Sequence, residues 1–505
     1  MSGDGLGLAG GGGAGLEEVT LRPDELVASA AALFGRGFRL ALVGAHDGPG
    51  PLRVVYLFTS GPPDRRVELH VVLDGRDRAI PSLASLSFPA SRFEREMRDL
   101  FGIEPVGHPL ARRLVLHQHW PSGWHPMRHD AGDVPEMLDD ASPYPFVEVD
   151  GRGVYEIPVG PVHAGVIEPG HFRFSVVGET IVQMGARLWF THKGVERLFA
   201  GRDPRAATEI AERVSGDSAV GHGLAYCLAV EAACGIDVPE RARDLRAMLL
   251  ELERLANHVT DIGALCNDVG FGIANAKALA VRERLFRLNA ELTGHRLLRG
   301  GVVLGGAELR RLPTVAELAE IGERIAEVLD LARSSAVVMD RFAGTAVLAA
   351  HEAEEIGALG VVARASGLGH DARVAHPFVE LPGGFVPARR QSGDVLARFE
   401  LRGDEVVASL SLLVGLLARP GAPRALGAAP ARPHAGSGSG IVEGWRGSVV
   451  HRAELDDAGR LARVKIVDPS FLTWPALAVA LRDAIVPDFP LANKSFNLSY
   501  AGNDL

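Results

Sequence analysis

The sequence predicts an α+β protein in two parts: an N-terminal α/β domain, then a larger and mainly α-helical domain that starts with a small β element. Three observations predict it. Short apolar runs at 38–43, 52–58 and 67–73, separated by turn residues, read as strands. The stretch 129–150 holds seven acidic residues, three prolines and no Lys or Arg, which is linker composition. Beyond it, apolar residues recur at three- and four-residue steps, the period of helices with one buried face. The expected division is a flexible tail at 1–15, a first domain at 16–128, the linker at 129–150 and a second domain at 151–505.

Composition narrows the function. A chain of 505 residues has length for more than one core, and 47% hydrophobic content fits globular packing. A net charge of −10 argues against nucleic acid as partner. Cys227, Cys234 and Cys266 have no C-x-x-C spacing and sit in apolar, helix-like surroundings, so they read as buried thiols in a reducing compartment. The first fifteen residues include eight glycines and no basic n-region, so no secretory signal is expected there. The best membrane candidate, 406–418, has two serines and a glycine and is far short of the roughly 20 apolar residues a span needs.

In chain order, Ser91 and Glu94 have the spacing of a capping box, starting a helix with Phe93, Met97 and Leu100 on one face and Gly102 at its end. His117, His119, His125 and His129 lie in a Pro/Gly-rich loop without a carboxylate or thiol at helical spacing, so they read as packing residues rather than metal ligands. The stretch 160–174 reads as a hairpin-like loop before a strand. Ser215 and Ser218, three apart, precede an apolar helical run at 224–230, and put two small polar side chains on one face. A long helix at 239–265 aligns Leu245, Met248, Leu252, Leu255, Val259 and Ile262, with its charges on the opposite face. Thr314 and Glu317 form another capping box, 394–418 is a third long helix, and the Pro/Ala/Gly-rich stretch 420–440 reads as a loop. Ser470 and Thr473 repeat the pair of small hydroxyl residues near the other end.

Several of these stretches carry a resemblance. E-R-E-M-R-D-L-F-G-I-E-P-V-G-H-P-L-A-R-R (94–113) and W-P-S-G-W-H-P-M-R-H-D (120–130) resemble the 30 kDa subunit of respiratory complex I. G-P-V-H-A-G-V-I-E-P-G-H-F-R-F (160–174), T-H-K-G-V-E-R-L (191–198), R-V-S-G-D-S (213–218), A-S-G-L-G-H-D-A-R (365–373), E-G-W-R-G (443–447) and D-P-S-F-L-T (468–473) resemble two related proteins. These are the 49 kDa subunit of complex I and the large subunit of group 4, energy-converting, formate hydrogenlyase-type nickel–iron hydrogenases. The chain thus resembles a fusion of two subunits that elsewhere are separate.

Where the hydrogenases carry four metal-binding cysteines, this sequence has Ser215, Ser218, Ser470 and Thr473. Hydroxyls ionise far too weakly to replace bridging thiolates, so the resemblance implies that the nickel–iron centre is absent and that the chain holds no metal. The chain runs 32 residues past Thr473, and 485–505 resembles the uncut tail of the 49 kDa protein of complex I. Complex I reduces quinone in the corresponding cavity with a first-loop histidine and a tyrosine. Here the histidine is His163 or His171, and the tyrosine position holds Gly216.

Candidate donor and proton groups are therefore His163, His171 and Asp217, with Arg173, Glu196, Arg213, Ser215, Gly216, Ser218, Arg446, Asp468, Ser470 and Thr473 lining the cavity. His222, Asp371 and Arg373 join the same polar set. Such a set either relays protons or forms an ion-pair network that holds the helices.

The resemblance implies a subunit of a membrane-associated oxidoreductase, peripheral on the cytoplasmic face of the membrane, taking part in electron transfer to quinone or a similar acceptor, coupled to ion translocation. Its expected partners are a small iron–sulfur subunit with the neighbouring cluster, a ferredoxin-like subunit and antiporter-like membrane subunits. The alternative is a non-catalytic coupling subunit.

Overall fold

The structure is a computed structural model describing residues 15–48, 50–73, 78–139, 144–164, 167–427 and 434–505, so the expected tail lies almost wholly outside the described residues. The chain divides between Pro145 and Phe146 into two compact units.

In the first unit the three apolar runs form strands Arg39–His46, Arg53–Ser60 and Arg65–Val72, an antiparallel meander. Strand Leu16–Leu21 joins parallel to Arg65–Val72, giving a four-stranded sheet. Helix Phe88–Phe101 packs on it and ends at Gly102, whose φ of 70° is the left-handed conformation that glycine adopts without strain. The expected capping box is corrected. The helix starts earlier, after Ser87 with Pro89 in its first turn, so Ser91 is inside it. Glu94 instead accepts from Ser82 Oγ at 2.5 Å and Leu83 N at 2.6 Å, and burial raises its pKa to about 7. His125 serves packing: its Nδ1 bonds Asp99 O at 2.9 Å. The start of the acidic stretch is tied to this unit, with Arg128 on Asp130 at 2.6 Å and Leu138 N on His119 O at 2.8 Å.

The second unit opens with an antiparallel sheet of Val154–Val159, His171–Val177 and Thr180–Arg187, so the 160–170 loop joins two adjacent strands. Helices Ala219–Cys234, Glu240–Asp268, Gly272–Thr293, Val315–Arg333 and Val395–Leu417 build the body. Thr314 and Glu317 form the expected capping box: Thr314 Oγ1 accepts Glu317 N at 3.2 Å and Glu317 accepts Thr314 N at 2.8 Å.

Two expectations differ. The long helix Glu240–Asp268 buries most of the charges in its middle as well as its apolar face, because neighbouring elements supply counter-charges. Arg246 pairs with Glu231, Arg402 with Asp261 at 2.9 Å, and His258 with Glu405 at 2.6 Å. Likewise the expected loop at 420–440 ends in a strand, Gly436–Gly444, the first of an antiparallel three-stranded sheet with Gly447–Leu455 and Leu461–Val467. That strand lies directly on helix Ala219–Cys234. A Cβ at Gly436, Gly438 or Gly440 would sit 2.3, 2.4 and 2.0 Å from the carbonyl oxygens of Ala233, Ala229 and Ala225. Glycine at every second position is what lets the two backbones meet.

Candidate functional site

The site lies where two helix starts converge. Loop 213–218 leads into helix Ala219–Cys234, and the last sheet strand leads through Asp468 into helix Pro469–Ala480. At the first start, Glu253 from the long helix does the capping, accepting Val220 N at 2.6 Å and Gly221 N at 3.1 Å. Burial pushes its pKa up to about 8, against those two hydrogen bonds, and the nearby Asp217 adds to the rise. At the second start, Asp468 caps its own helix through Ser470 N at 2.7 Å.

The two hydroxyl pairs meet through the segment 497–505. Ser499 Oγ lies 2.8 Å from Ser215 Oγ, and Ser499 N donates to Ser470 Oγ at 2.9 Å. Ser215 Oγ also donates to Asp217 Oδ1 at 3.0 Å, and Arg446 Nη1 reaches Ser218 Oγ at 3.4 Å. Thr473 Oγ1 accepts Leu359 N at 3.2 Å. Gly502 packs so closely on Asp468 that a Cβ would lie 2.5 Å from the carboxylate. Tyr500 packs edge-on against Trp474, ring centroids 4.9 Å apart, and a Cβ on Gly170 would lie 2.5 Å from its ring. Asp504 accepts Thr191 N at 2.7 Å and pairs with His192 at 3.2 Å. Residues 498–505 are all buried, so this segment fills the space between the first loop and the hydroxyls.

Arg446 grips Asp217 with both guanidinium nitrogens, at 2.6 and 2.7 Å, and lies 3.8 Å from the centroid of the Trp445 ring. Burial acts to raise the Asp217 pKa, but the charge and hydrogen bonds of Arg446 outweigh it and hold the carboxylate below its usual range. His222 bridges Asp468 at 2.9 Å and His451 at 3.0 Å in a fully buried row. Burial, with His222 alongside, pushes the His451 pKa well down, so that imidazole stays neutral.

The other sequence-predicted residues are placed elsewhere. Glu196 accepts from Arg463 at 2.5 Å, Lys465 at 3.0 Å and Ile466 N at 3.0 Å. Burial opposes its charge, yet the two cations lower its pKa to about 2, so it is a fixed ion-pair member. His163 Nε2 bonds Gly170 O at 2.8 Å and His171 Nδ1 bonds Gly160 O at 3.1 Å, both within the first loop. Arg173 pairs across the sheet with Glu156 at 3.4 Å, and exposed Arg213 bonds Glu209 O at 2.6 Å. Asp371 and Arg373 belong to a separate buried network with Arg364, Glu251 and Glu405.

Gly216 and Asp217 face a cavity of about 350 Å³, walled by the long helix, helix Gly272–Thr293 and residues 296–298. Sequence reasoning missed Glu253, Ser499 and this cavity's Arg282 and Arg296. Ser499 has no motif signal, and Glu253 reads as one more solvated helix charge.

The hydroxyl set does not fit a thiolate-held metal centre. Its four oxygens are neutral, each is engaged in a protein hydrogen bond, and a guanidinium abuts one of them.

Comparison with known proteins agrees with this architecture. Residues 19–134 match the model of the respiratory-chain NADH dehydrogenase 30 Kd subunit, 193–266 that of nickel-dependent hydrogenase, and 268–422 that of the respiratory-chain NADH dehydrogenase 49 Kd subunit. The chain is 33% identical to formate hydrogenlyase subunit 5 of Escherichia coli over 454 residues, covering 87% of this chain and 79% of that protein. It is 26% identical to the fused C/D protein of NADH-quinone oxidoreductase from Phocaeicola vulgatus, covering 75% and 78%. Among solved structures, a chain of the membrane-bound sulfane sulfur reductase, an archaeal respiratory membrane complex, superposes with TM-score 0.64 at 25% identity, covering 72% of this chain and all of that one. No helix among the described residues is long and apolar enough to cross a membrane. The chain belongs to the family of formate hydrogenlyase subunit 5 and the fused C/D proteins of NADH-quinone oxidoreductase, in which a 30 kDa-type region precedes a hydrogenase-like 49 kDa-type region.

Proposed function

We propose that this chain is a peripheral subunit, on the cytoplasmic face of the membrane, of a complex I-like and group 4 hydrogenase-like oxidoreductase. In this reading it takes part in electron transfer to quinone or a similar acceptor, coupled to ion translocation, without nickel–iron catalysis. The observation that carries the last point is the hydroxyl set at Ser215, Ser218, Ser470 and Thr473, knitted together by Ser499 and Arg446. The proposed partners are a small iron–sulfur subunit whose cluster feeds electrons, a ferredoxin-like subunit and antiporter-like membrane subunits. Asp217, at the edge of the cavity beside Gly216, is the candidate proton group nearest an acceptor there, while His163 and His171 stand as donor candidates on the first loop.

A second reading has its own observation. The filling of the space between the first loop and the hydroxyls by residues 498–505 favours a coupling subunit that transmits movement without binding an acceptor. Purification of the complex from gently solubilised membranes tests both. Co-purifying iron–sulfur and membrane subunits, no stoichiometric nickel, and quinone reduction that falls at least about tenfold in Asp217→Asn support the first reading. Unchanged electron transfer in Asp217→Asn, His163→Ala and His171→Ala leaves the coupling role. A lone monomer, or stoichiometric nickel, overturns the proposal.

A further inference from the structure

The cavity beside Gly216 and Asp217 has an uneven charge balance. Three of its wall residues are acids, and each is already satisfied within the protein. Asp217 is held by Arg446, and Asp261 by Arg402 at 2.9 Å and Asn497 at 2.6 Å. Glu253 caps the start of helix Ala219–Cys234.

The two wall arginines are different. Arg282, partly buried, and Arg296, exposed at the cavity mouth, lie over the Phe286 ring, 4.9 and 5.2 Å from its centroid, and neither has an ion-pair or hydrogen-bond partner for its guanidinium among the described residues. They also repel one another: burial first, then the charge of Arg296, lowers the Arg282 pKa. Two unpaired cations sharing one cavity are stabilised by an anion, because guanidinium binds carboxylates and other oxyanions through paired N–H donors.

The rest of the wall narrows the ligand. Phe286, Leu297 and Leu298 supply an apolar surface. Asn289, 1% exposed, spends its Nδ2 on Arg296 O at 3.2 Å and so holds the Arg296 backbone against helix Gly272–Thr293. The volume suits a small organic molecule.

We propose that this cavity is a binding site for a small organic anion: a carboxylate on Arg282 and Arg296, with an apolar body against Leu297 and Leu298. The anion would occupy the cavity in which the electron-transfer reading places an acceptor, and its binding is tested separately from that reading, because equilibrium binding needs no turnover.

The test is calorimetric titration of the full chain at fixed ionic strength with 4-hydroxybenzoate, its neutral isostere 4-hydroxybenzamide, and benzoate. Expected is saturable binding of 4-hydroxybenzoate and of benzoate, each at least about tenfold tighter than the benzamide. Arg282→Gln and Arg296→Gln each weaken it about tenfold or more, and Arg282→Lys, keeping charge but losing the fork, weakens it less. Melting temperature checks that the variants fold. If Arg282→Gln does not, the lysine variant and the loss of affinity with added salt decide the matter. Equal binding of the benzamide, indifference to the arginine variants and to salt, or no saturable binding each overturns the proposal. So does a carboxylate of a partner protein seated on Arg282 in the assembled complex.

Discussion

Glu196 and Glu253 are both buried acids near the convergent helix starts, and their surroundings drive them in opposite directions. Glu196 has two cations within 3.0 Å, so its pKa falls to about 2. Its stabilisation is present above the unfolded carboxyl value, about 4.3, and is lost as pH drops through the folded one. Glu196→Gln, which leaves Arg463 and Lys465 without their counter-charge, is expected to cost about 3 kcal/mol at pH 7 in urea unfolding. A proton-relay role for Glu196 predicts instead unchanged stability and altered activity. For Glu253 burial outweighs the hydrogen bonds from Val220 N and Gly221 N and the weaker pull of Arg254, and raises the pKa to about 8. A raised carboxyl pKa means that the folded state binds more protons between about pH 4.3 and pH 8, so stability falls with rising pH across that window. Glu253→Gln is expected to flatten that slope, at a pH-independent cost of about 1 kcal/mol for one weakened helix-capping bond. An unchanged slope in chemical denaturation from pH 5 to 8 would show that Glu253 is not the group responsible.

Elements with a single strong period were legible in the sequence. The strands at Arg39–His46, Arg53–Ser60 and Arg65–Val72 alternate or run apolar between turn residues, and Thr314 with Glu317 marks a helix start by local chemistry alone. What was not legible depends on partners distant in sequence. Glu251, Arg254 and His258 read as a solvated helix face because their counter-charges, Arg373 and Glu405, come from other elements. Gly436, Gly438 and Gly440 read as loop, since glycine breaks local propensity, yet they form a strand because only hydrogen fits between it and helix Ala219–Cys234. This argues a specific outcome. Gly438→Ala puts a methyl 2.4 Å from Ala229 O and 2.6 Å from Ala233 N, both backbone atoms of the helix, and neither can move without shifting it. We expect a loss of about 2 kcal/mol or more, seen as a lower melting temperature, whereas alanine at Gly35, with open space around it, is expected to be near neutral. Equal effects at the two positions would refute close strand–helix contact as the reason for the glycines.

At the scale of the molecule, the candidate site is assembled from segments nearly three hundred positions apart, and what joins them is 497–505. The motif frame around Ser215 and Ser470 was legible, but nothing in L-S-Y-A-G-N-D-L announces that Ser499 bonds both hydroxyls or that Asp504 reaches Thr191. In this arrangement the segment acts as a third wall of the site. It satisfies Ser215 and Ser470, which would otherwise be buried hydroxyls without these partners, and it covers Trp474 with Tyr500. Removing residues 498–505 is therefore expected to unfold more than a frayed end. Loss of the Leu498, Tyr500 and Leu505 side chains from the core, with the Asp504–Thr191 and Ala501–Glu168 hydrogen bonds, should cost more than about 3 kcal/mol. Hydrogen exchange should rise at 191–198, 213–218 and 468–474, while helix Val315–Arg333 keeps its protection. Ser499→Ala, which leaves the backbone in place and removes one bridging hydroxyl, should cost about 1 kcal/mol and raise exchange only beside Ser215 and Gly502. If the truncated chain unfolds at the same denaturant concentration as the full one, the segment is an ornament on a self-sufficient site. If protection is lost at the three segments together, they are one cooperative unit that 497–505 holds closed.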